Sequence, residues 1–200
     1  MYRPDKYVCY ADLKKHECEG RDYRIRLRHG RSRVLVLAPH GGNIEPGCSE
    51  IADAVAAEEH SFYALEGLKP KGNWSLHIAS THFDEPVCVN ALMKARQVLA
   101  VHGCKDGQER IFLGGTDHFL REKVKESLGN SGFDTGERDG IQGQNKLNIC
   151  NRNASGMGVQ LEIPFALRCT MFFNLKLDGR QHTTEVFTRF VSALRKALAR

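Results

Sequence analysis

His40 and Glu45 stand five positions apart in "VLVLAPHGGNIEPGCSEIADAVA", residues 34–56, with two glycines directly after the histidine. Histidine and a carboxylate are side chains that ligate a catalytic zinc, which takes three protein ligands from His and Asp or Glu and keeps a fourth position for water. Gly41 and Gly42 would let the backbone turn both side chains toward one ion. The stretch has a second reading. A glycine-rich passage from strand to helix, with Glu45 and Pro46 at its first turn, can cap the helix or cradle an anion on its backbone amides. Spacing alone leaves both open.

Three further places carry candidate chemistry. His102, in "AVHGC", ends an apolar run before a glycine and is the natural third ligand. His82, in "STHFDEP", competes for that place or contacts substrate beside Asp84 and Glu85. Glu162 interrupts the apolar run "GVQLEIPF", where a carboxylate is costly to bury unless it is paired, protonated or used. It is either the partner of Arg152 or Arg168 in a structural ion pair, or a general base beside a metal. In "NICNRNASG", Asn151 and Arg152 follow a short apolar stretch; such an arginine either grips a substrate carboxylate through paired hydrogen bonds, polarises a carbonyl, or is a surface charge.

These residues need a frame that brings distant positions to one rim. Residues 23–28 alternate in polarity and 33–38 read as a strand, apolar from Val34 onward, with Gly30 between them, which predicts a hairpin. "SFYALEG", "SLHIAST", "QVLAVHG", "RIFLGG" and "GVQLEI" predict further strands. Helical spacing marks 47–59, with Ile51, Ala54 and Val55, then 86–95, 117–128 closed by Gly129, and 184–199, the last with Val186, Phe187, Phe190, Val191, Leu194 and Leu198 on one face. Strands alternating with helices predict an α/β domain with a mixed, mostly parallel central sheet, whose ligands bind beyond the carboxyl ends of the strands. The chain reads as one domain over residues 1–200, and the Gly- and Asn-rich region 129–156 as a candidate active-site loop.

Composition narrows the classes. Hydrophobic content of 41% with 26% charged residues excludes disorder and fibre. No apolar run suits a signal peptide or a membrane span, so a cytoplasmic protein is expected. Seven scattered cysteines without a CxxC pair read as reduced and structural. A net charge of +5 favours anionic partners. Nucleic acid is permitted rather than indicated, since there is one tryptophan and neither a basic helix nor an aromatic-basic strand motif. Oligomeric state is not legible.

Taken in order, "APHGGNIEPG", "HSFYALEG", "LHIASTHFDEP", "AVHGC", "NICNR" and "GVQLEI" resemble the poly-γ-glutamate hydrolase family, a phage-related and bacterial group often labelled phage replication protein. The family is similar in fold to zinc carboxypeptidases. The resemblance implies one zinc ion on His40, Glu45 and His102, with Glu162 as general base. It implies that Asn151 and Arg152 bind substrate carboxylate, although the pair follows the third ligand instead of preceding it as in carboxypeptidases. The implied reaction is zinc-assisted hydrolysis of γ-glutamyl amide bonds in an anionic polymer. Hydrolysis of smaller acylated or γ-linked amino acids, and a nucleic-acid-binding replication accessory, are the alternatives.

Overall fold

The structure is a computed structural model that describes residues 4–140, 142–176 and 178–199. Seven strands form one sheet in the order β1-β3-β2-β4-β7-β5-β6. They are β1 (Tyr23–Arg28), β2 (Val34–Gly42), β3 (Ser61–Gly67), β4 (Gln97–Cys104), β5 (Ile111–Gly115), β6 (Thr135–Gly136) and β7 (Val159–Pro164). The flanking helices are α1 (Tyr10–His16), α2 (Cys48–Ala56), α3 (Pro86–Lys94), α4 (His118–Asn130), α5 (Phe165–Met171) and α6 (Glu185–Leu198). The pairs β2–β3, β2–β4, β4–β7 and β5–β6 are parallel, whereas β1–β3 and β5–β7 are antiparallel. The sheet is therefore mixed and mostly parallel, as the alternation of elements predicts.

Local chemistry starts the helices. Glu85 accepts hydrogen bonds from the Val87 and Cys88 amides and places Pro86 in the first turn of α3. Asp117 caps α4, and Thr184 caps α6. The apolar face of α6 buries Phe187, Phe190, Val191, Leu194 and Leu198.

Two expected elements differ. The hairpin does not form: β1 pairs antiparallel with β3, and β3 lies between β1 and β2. The reason is burial, because β3 is buried over nearly its whole length and needs a neighbour on each side, while the alternating β1 suits an edge. Gly30 instead passes against a loop, where a Cβ would lie 2.2 Å from the His60 carbonyl carbon. "SLHIAST" is not a strand; Asn73–Leu76 is a 3-10 turn, and Leu76, Ile78 and Phe83 plug into the core beneath the sheet. In addition, α4 continues through Gly129 to Asn130, with Ser131 closing it.

The sheet separates two cores. Val34, Val36, Leu99, Val101, Val159 and Leu161 pack toward α2, α4 and α6. Leu35, Leu37, Val98 and Ala100 pack on the other face, toward α1, α3 and the 76–83 loop. Side chains alternate along a strand, so these memberships fix where the polar residues point. His102 falls on the same face as Val98 and Ala100, and Glu162 is its register partner on β7. All seven cysteines are free thiols. Among the described residues, no helix is long and apolar enough to cross a membrane.

Candidate metal centre

Strand β2 shifts register against β3 between Ala38 and Gly41, which releases His40 from the regular pleat. Gly42 then adopts a φ of +61°, and a Cβ there would meet the Gly67 carbonyl oxygen at 2.6 Å. Only glycine fits that crossing. The Glu45 amide bonds back to the His40 carbonyl at 3.0 Å, closing a turn that folds the glutamate over the histidine. Glu45 makes no cap to α2, whose N-cap is Gly47. The helix-capping reading of this stretch therefore gives way to a side-chain cluster.

In that cluster Glu45 Oε1 lies 3.3 Å from His40 Nδ1, and Oε2 lies 3.8 Å from His102 Nδ1. The two Nδ1 atoms of His40 and His102 are 3.2 Å apart. Each partner is buried. Four tetrahedral donors at zinc-ligand bond lengths stand ~3.4 Å from one another, so these separations suit a shared ion. His40 Nε2 sits 2.8 Å from the Ile78 carbonyl, to which it donates, leaving Nδ1 with its lone pair toward Glu45 and His102. The Gly103 amide donates to Glu45 Oε2 at 2.9 Å.

His77 joins the group. Its ring stacks on His40 with centroids 4.0 Å apart, and its Nε2 lies 4.0 Å from Glu45 Oε1. The donor atoms of His40, Glu45 and His77 all fall within 4.8 Å of one another. His77 Nδ1 donates to Asp5 Oδ1 at 2.6 Å, while Asp5 Oδ2 accepts the Ala79 amide. A carboxylate that orients a histidine in this way is a common support for a metal ligand. Sequence reasoning missed both residues: His77 was assigned to a strand interior, and nothing marks Asp5.

The electrostatics favour a cation. Burial pushes the His102 imidazole down to about 3, against the pull of Glu45, and the neighbouring imidazoles add to the depression. His77 is lowered to about 4, again chiefly by burial and then by His40. Glu45 is held at about 2, because His40, His102 and His77 outweigh the opposing effect of burial. Burial also works to lower His40, but the Glu45 charge prevails and raises it. The buried His102 Nε2 has no hydrogen-bond partner among the described residues. Two imidazoles pushed toward the neutral form, a third drawn to the Glu45 charge, and a carboxylate kept ionised, converging from the ends of β2 and β4 and from two loops, form a donor set that a divalent ion such as zinc fits.

Glu162 stands beside this group, as the register partner of His102, and its Oε1 accepts from Gln160 Nε2 at 2.9 Å. Burial, reinforced by the Glu45 charge, raises its carboxyl well above the usual range, against the pull of Arg168 and Gln160. Neither expected arginine pairs with it directly. Arg168 spends its guanidinium on the carbonyls of Ile163, Pro46 and Cys104. Arg152 donates to the Phe83 carbonyl at 2.7 Å.

The remaining candidates are not brought to the cluster. The Asn151 side chain donates to the Gly143 and Asn145 carbonyls and accepts from Thr116 and the Gly158 amide, at the amino end of β7, opposite Glu162. Its amide nitrogen is engaged by loop carbonyls, and Arg152 donates through Nη1 to the Phe83 carbonyl, so neither side chain bonds to His40, Glu45, His102 or Glu162. His82 is exposed, on a turn whose amide bonds to the Ala79 carbonyl, and its side chain reaches no member of the cluster.

Comparison with known proteins bears on this site. A family model described as poly-gamma-glutamate hydrolase matches residues 7–193. The SPbeta prophage-derived UPF0714 protein YoqZ of Bacillus subtilis (strain 168) is 38% identical over 196 residues, covering 96% of this chain and 71% of its own length. A bacteriophage poly-gamma-glutamate hydrolase superposes with a TM-score of 0.95 at 33% identity, covering 98% of this chain and 97% of that one. A zinc-free apo form of YndL superposes with a TM-score of 0.93 at 34% identity, covering 98% of each chain.

Proposed function

This chain belongs to the poly-γ-glutamate hydrolase family, and from that membership and the geometry of its buried cluster we propose that it hydrolyses γ-glutamyl amide bonds of poly-γ-glutamate with one zinc ion. His40, Glu45 and His102 hold the ion, and His77, braced by Asp5, stands against it as a fourth neighbour. The observation that carries the reading is the set of donor separations of 3.2, 3.3 and 3.8 Å among buried groups, beside the Glu162 carboxyl, which forms no salt bridge among the described residues. When bound, zinc supplies Lewis acidity toward the scissile carbonyl and activates water near neutral pH.

The protein's own groups do the rest. Glu162 takes a proton from the attacking water and later delivers it to the departing amine. Burial and the Glu45 charge raise its affinity for protons, which suits the delivery of a proton to the departing amine. Glu45, by contrast, stays ionised and serves as a ligand. Two carboxyls on one rim are thus driven apart by environment: one ringed by imidazoles, the other facing a like charge. Asp5 and the Ile78 carbonyl fix the ring orientations of His77 and His40. The anionic polymer substrate accords with the net charge of +5.

The test is direct. The zinc-loaded protein is incubated with poly-γ-glutamate and chain length followed, with Glu162→Gln as the control. Shortening to oligomers by the parent alone supports the reading. An unchanged length distribution with bound zinc, or normal turnover by Glu162→Gln, refutes it.

A further inference from the structure

The sequence offered Arg152 to grip the substrate carboxylates; in the structure its Nη1 donates to the Phe83 carbonyl, and among the described residues it makes no hydrogen bond or ion pair with Glu162 or with His40, Glu45 and His102. We infer that Arg138, with Lys105 as its companion, is the docking point for substrate carboxylates at the rim of the site. This inference rests on the poly-γ-glutamate reading, because it assigns the residues that register an anionic chain against Glu162.

Arg138 lies in the irregular segment that follows β6. Its guanidinium carbon stands 5.3 Å from the centroid of the Phe112 ring. Phe112 on β5 is the register partner of Glu162, so its ring lies on the face of the sheet that carries Glu162 and His102. The positive charge reaches both the Glu162 carboxyl and the Cys104 thiol. Asp106 holds Arg138 through Nη1 at 2.9 Å, and the Nε and Nη2 donors make no hydrogen bond among the described residues. The side chain remains 48% exposed, so a free two-donor edge faces solvent beside the proposed base. A planar fork of this kind matches a carboxylate. Arg168, the other arginine near Glu162, is buried with all three of its terminal nitrogens committed to carbonyls.

Lys105 follows the last residue of β4, immediately before the Asp106 that holds Arg138. Its ammonium lies 5.1 Å from the Trp74 ring, which stacks on His77 at 4.3 Å, which stacks in turn on His40. The exposed cation thus caps a column of rings that ends at the metal cluster. Lys105 and Arg138 mark two sides of the same rim, and a polymer with one carboxylate per unit can engage both at once. Each contact adds binding, and together they place one amide bond over Glu162.

The experiment measures binding without turnover. Zinc-loaded Glu162→Gln protein is titrated with an uncleaved γ-linked glutamate oligomer by calorimetry, then compared with proteins also carrying Arg138→Ala, Arg138→Lys, Lys105→Ala or Arg189→Ala. Arg189 lies on α6 against Phe133, in the core on the opposite face of the sheet, and removes the same charge. The expected losses are about tenfold for Arg138→Ala and about threefold for Lys105→Ala, with partial recovery in Arg138→Lys and no change for Arg189→Ala. An oligomer with its carboxylates amidated should bind weakly and should not distinguish Arg138→Ala from its parent. Affinity of Arg138→Ala within twofold of the parent overturns the inference while leaving the substrate reading intact. An equal loss in Arg189→Ala also overturns it, since the effect is then net charge. If the parent binds no γ-linked oligomer, the substrate reading fails and the inference with it.

Discussion

Replacing Gly103 by alanine would seat a methyl group 2.6 Å from Arg168 Cζ, 2.8 Å from Nη2 and 2.9 Å from Nε. Carbon atoms in contact prefer ~3.5–4.0 Å, so about an ångström of overlap must be relieved. The guanidinium cannot yield freely, because its Nε bonds to Ile163 at 3.1 Å, Nη1 to Pro46 at 2.5 Å and Nη2 to Cys104 at 3.3 Å. Overpacking alone costs ~1–3 kcal/mol. Lengthening one buried bond from a charged donor adds part of another ~1.5–3 kcal/mol, while burial of the methyl returns ~0.8 kcal/mol. The expected loss is about 2–4 kcal/mol, read by urea unfolding of metal-free protein. Gly107→Ala is the matched control, since nothing lies within 4 Å of its added methyl. A second readout follows from the Gly103 amide, which holds Glu45 Oε2 at 2.9 Å. Displacing it should weaken zinc binding by roughly tenfold or more in chelator competition. A Gly103→Ala protein within about 0.5 kcal/mol of the parent would falsify the view that Arg168 is a fixed staple behind the cluster.

Glu45→Gln and His102→Ala should lose zinc in elemental analysis, whereas Glu162→Gln should keep it and lose about 10²–10⁴-fold in kcat; retention by the first two would dissolve the ligand set. The raised Glu162 carboxyl also predicts a pH trend in metal-free protein. Its contribution to stability is complete below the unfolded-state value and is lost as pH rises through the folded one, so Glu162→Gln should gain in melting temperature over the parent toward alkaline pH. An identical pH dependence in the two proteins would mean that the carboxyl is not shifted. Stripping zinc with a chelator should lower the melting temperature, because a ligand held at a hundred times its dissociation constant stabilises by ~2.7 kcal/mol; an unchanged melting curve would argue against a resident ion. Asn151→Ala should cost about 2–4 kcal/mol through its lost bonds to Gly143, Asn145 and Thr116 while KM stays put. Parental stability with a raised KM would return Asn151 to substrate binding.

The fold was legible where burial and periodicity agree. β4 and β7 read as apolar runs because both faces of a central strand are covered, and α6 read from its apolar stripe. Pairing was not legible. Between β1 and β2, a short connection around Gly30 imitates a hairpin, but a hairpin would leave the buried β3 at an edge, and that cost is visible only when all strands compete for places. The segment around Ile78 misled for a related reason: its apolar residues satisfy a core beneath the sheet, and apolar content does not tell whether a segment joins a sheet or covers it.

The site follows the same division. The sequence singles out His40, Glu45, His102 and Glu162 as candidates by what it shows alone, a histidine with two glycines after an apolar run and polar groups set in or at the end of apolar runs, and the structure brings the first three within 3.2–3.8 Å of one another. Residues that violate the requirements of folding point to function. Asp5, His77 and Arg138 break no such rule. His77 lies in an irregular loop and owes its orientation to a carboxylate 72 positions away, a contact that only tertiary structure creates. Arg138 is an exposed arginine in a polar segment, unremarkable until β5 places Phe112 beneath it and Glu162 beside that ring. Asn151 shows the converse. Its residue type suits carboxylate recognition, yet hydrogen-bonding capacity is finite, and at the amino end of β7 the backbone carbonyls claim its amide nitrogen first. Whether a polar side chain is free to bind substrate is therefore settled by what the surrounding loops leave unsatisfied, a property of the folded chain and not of the motif.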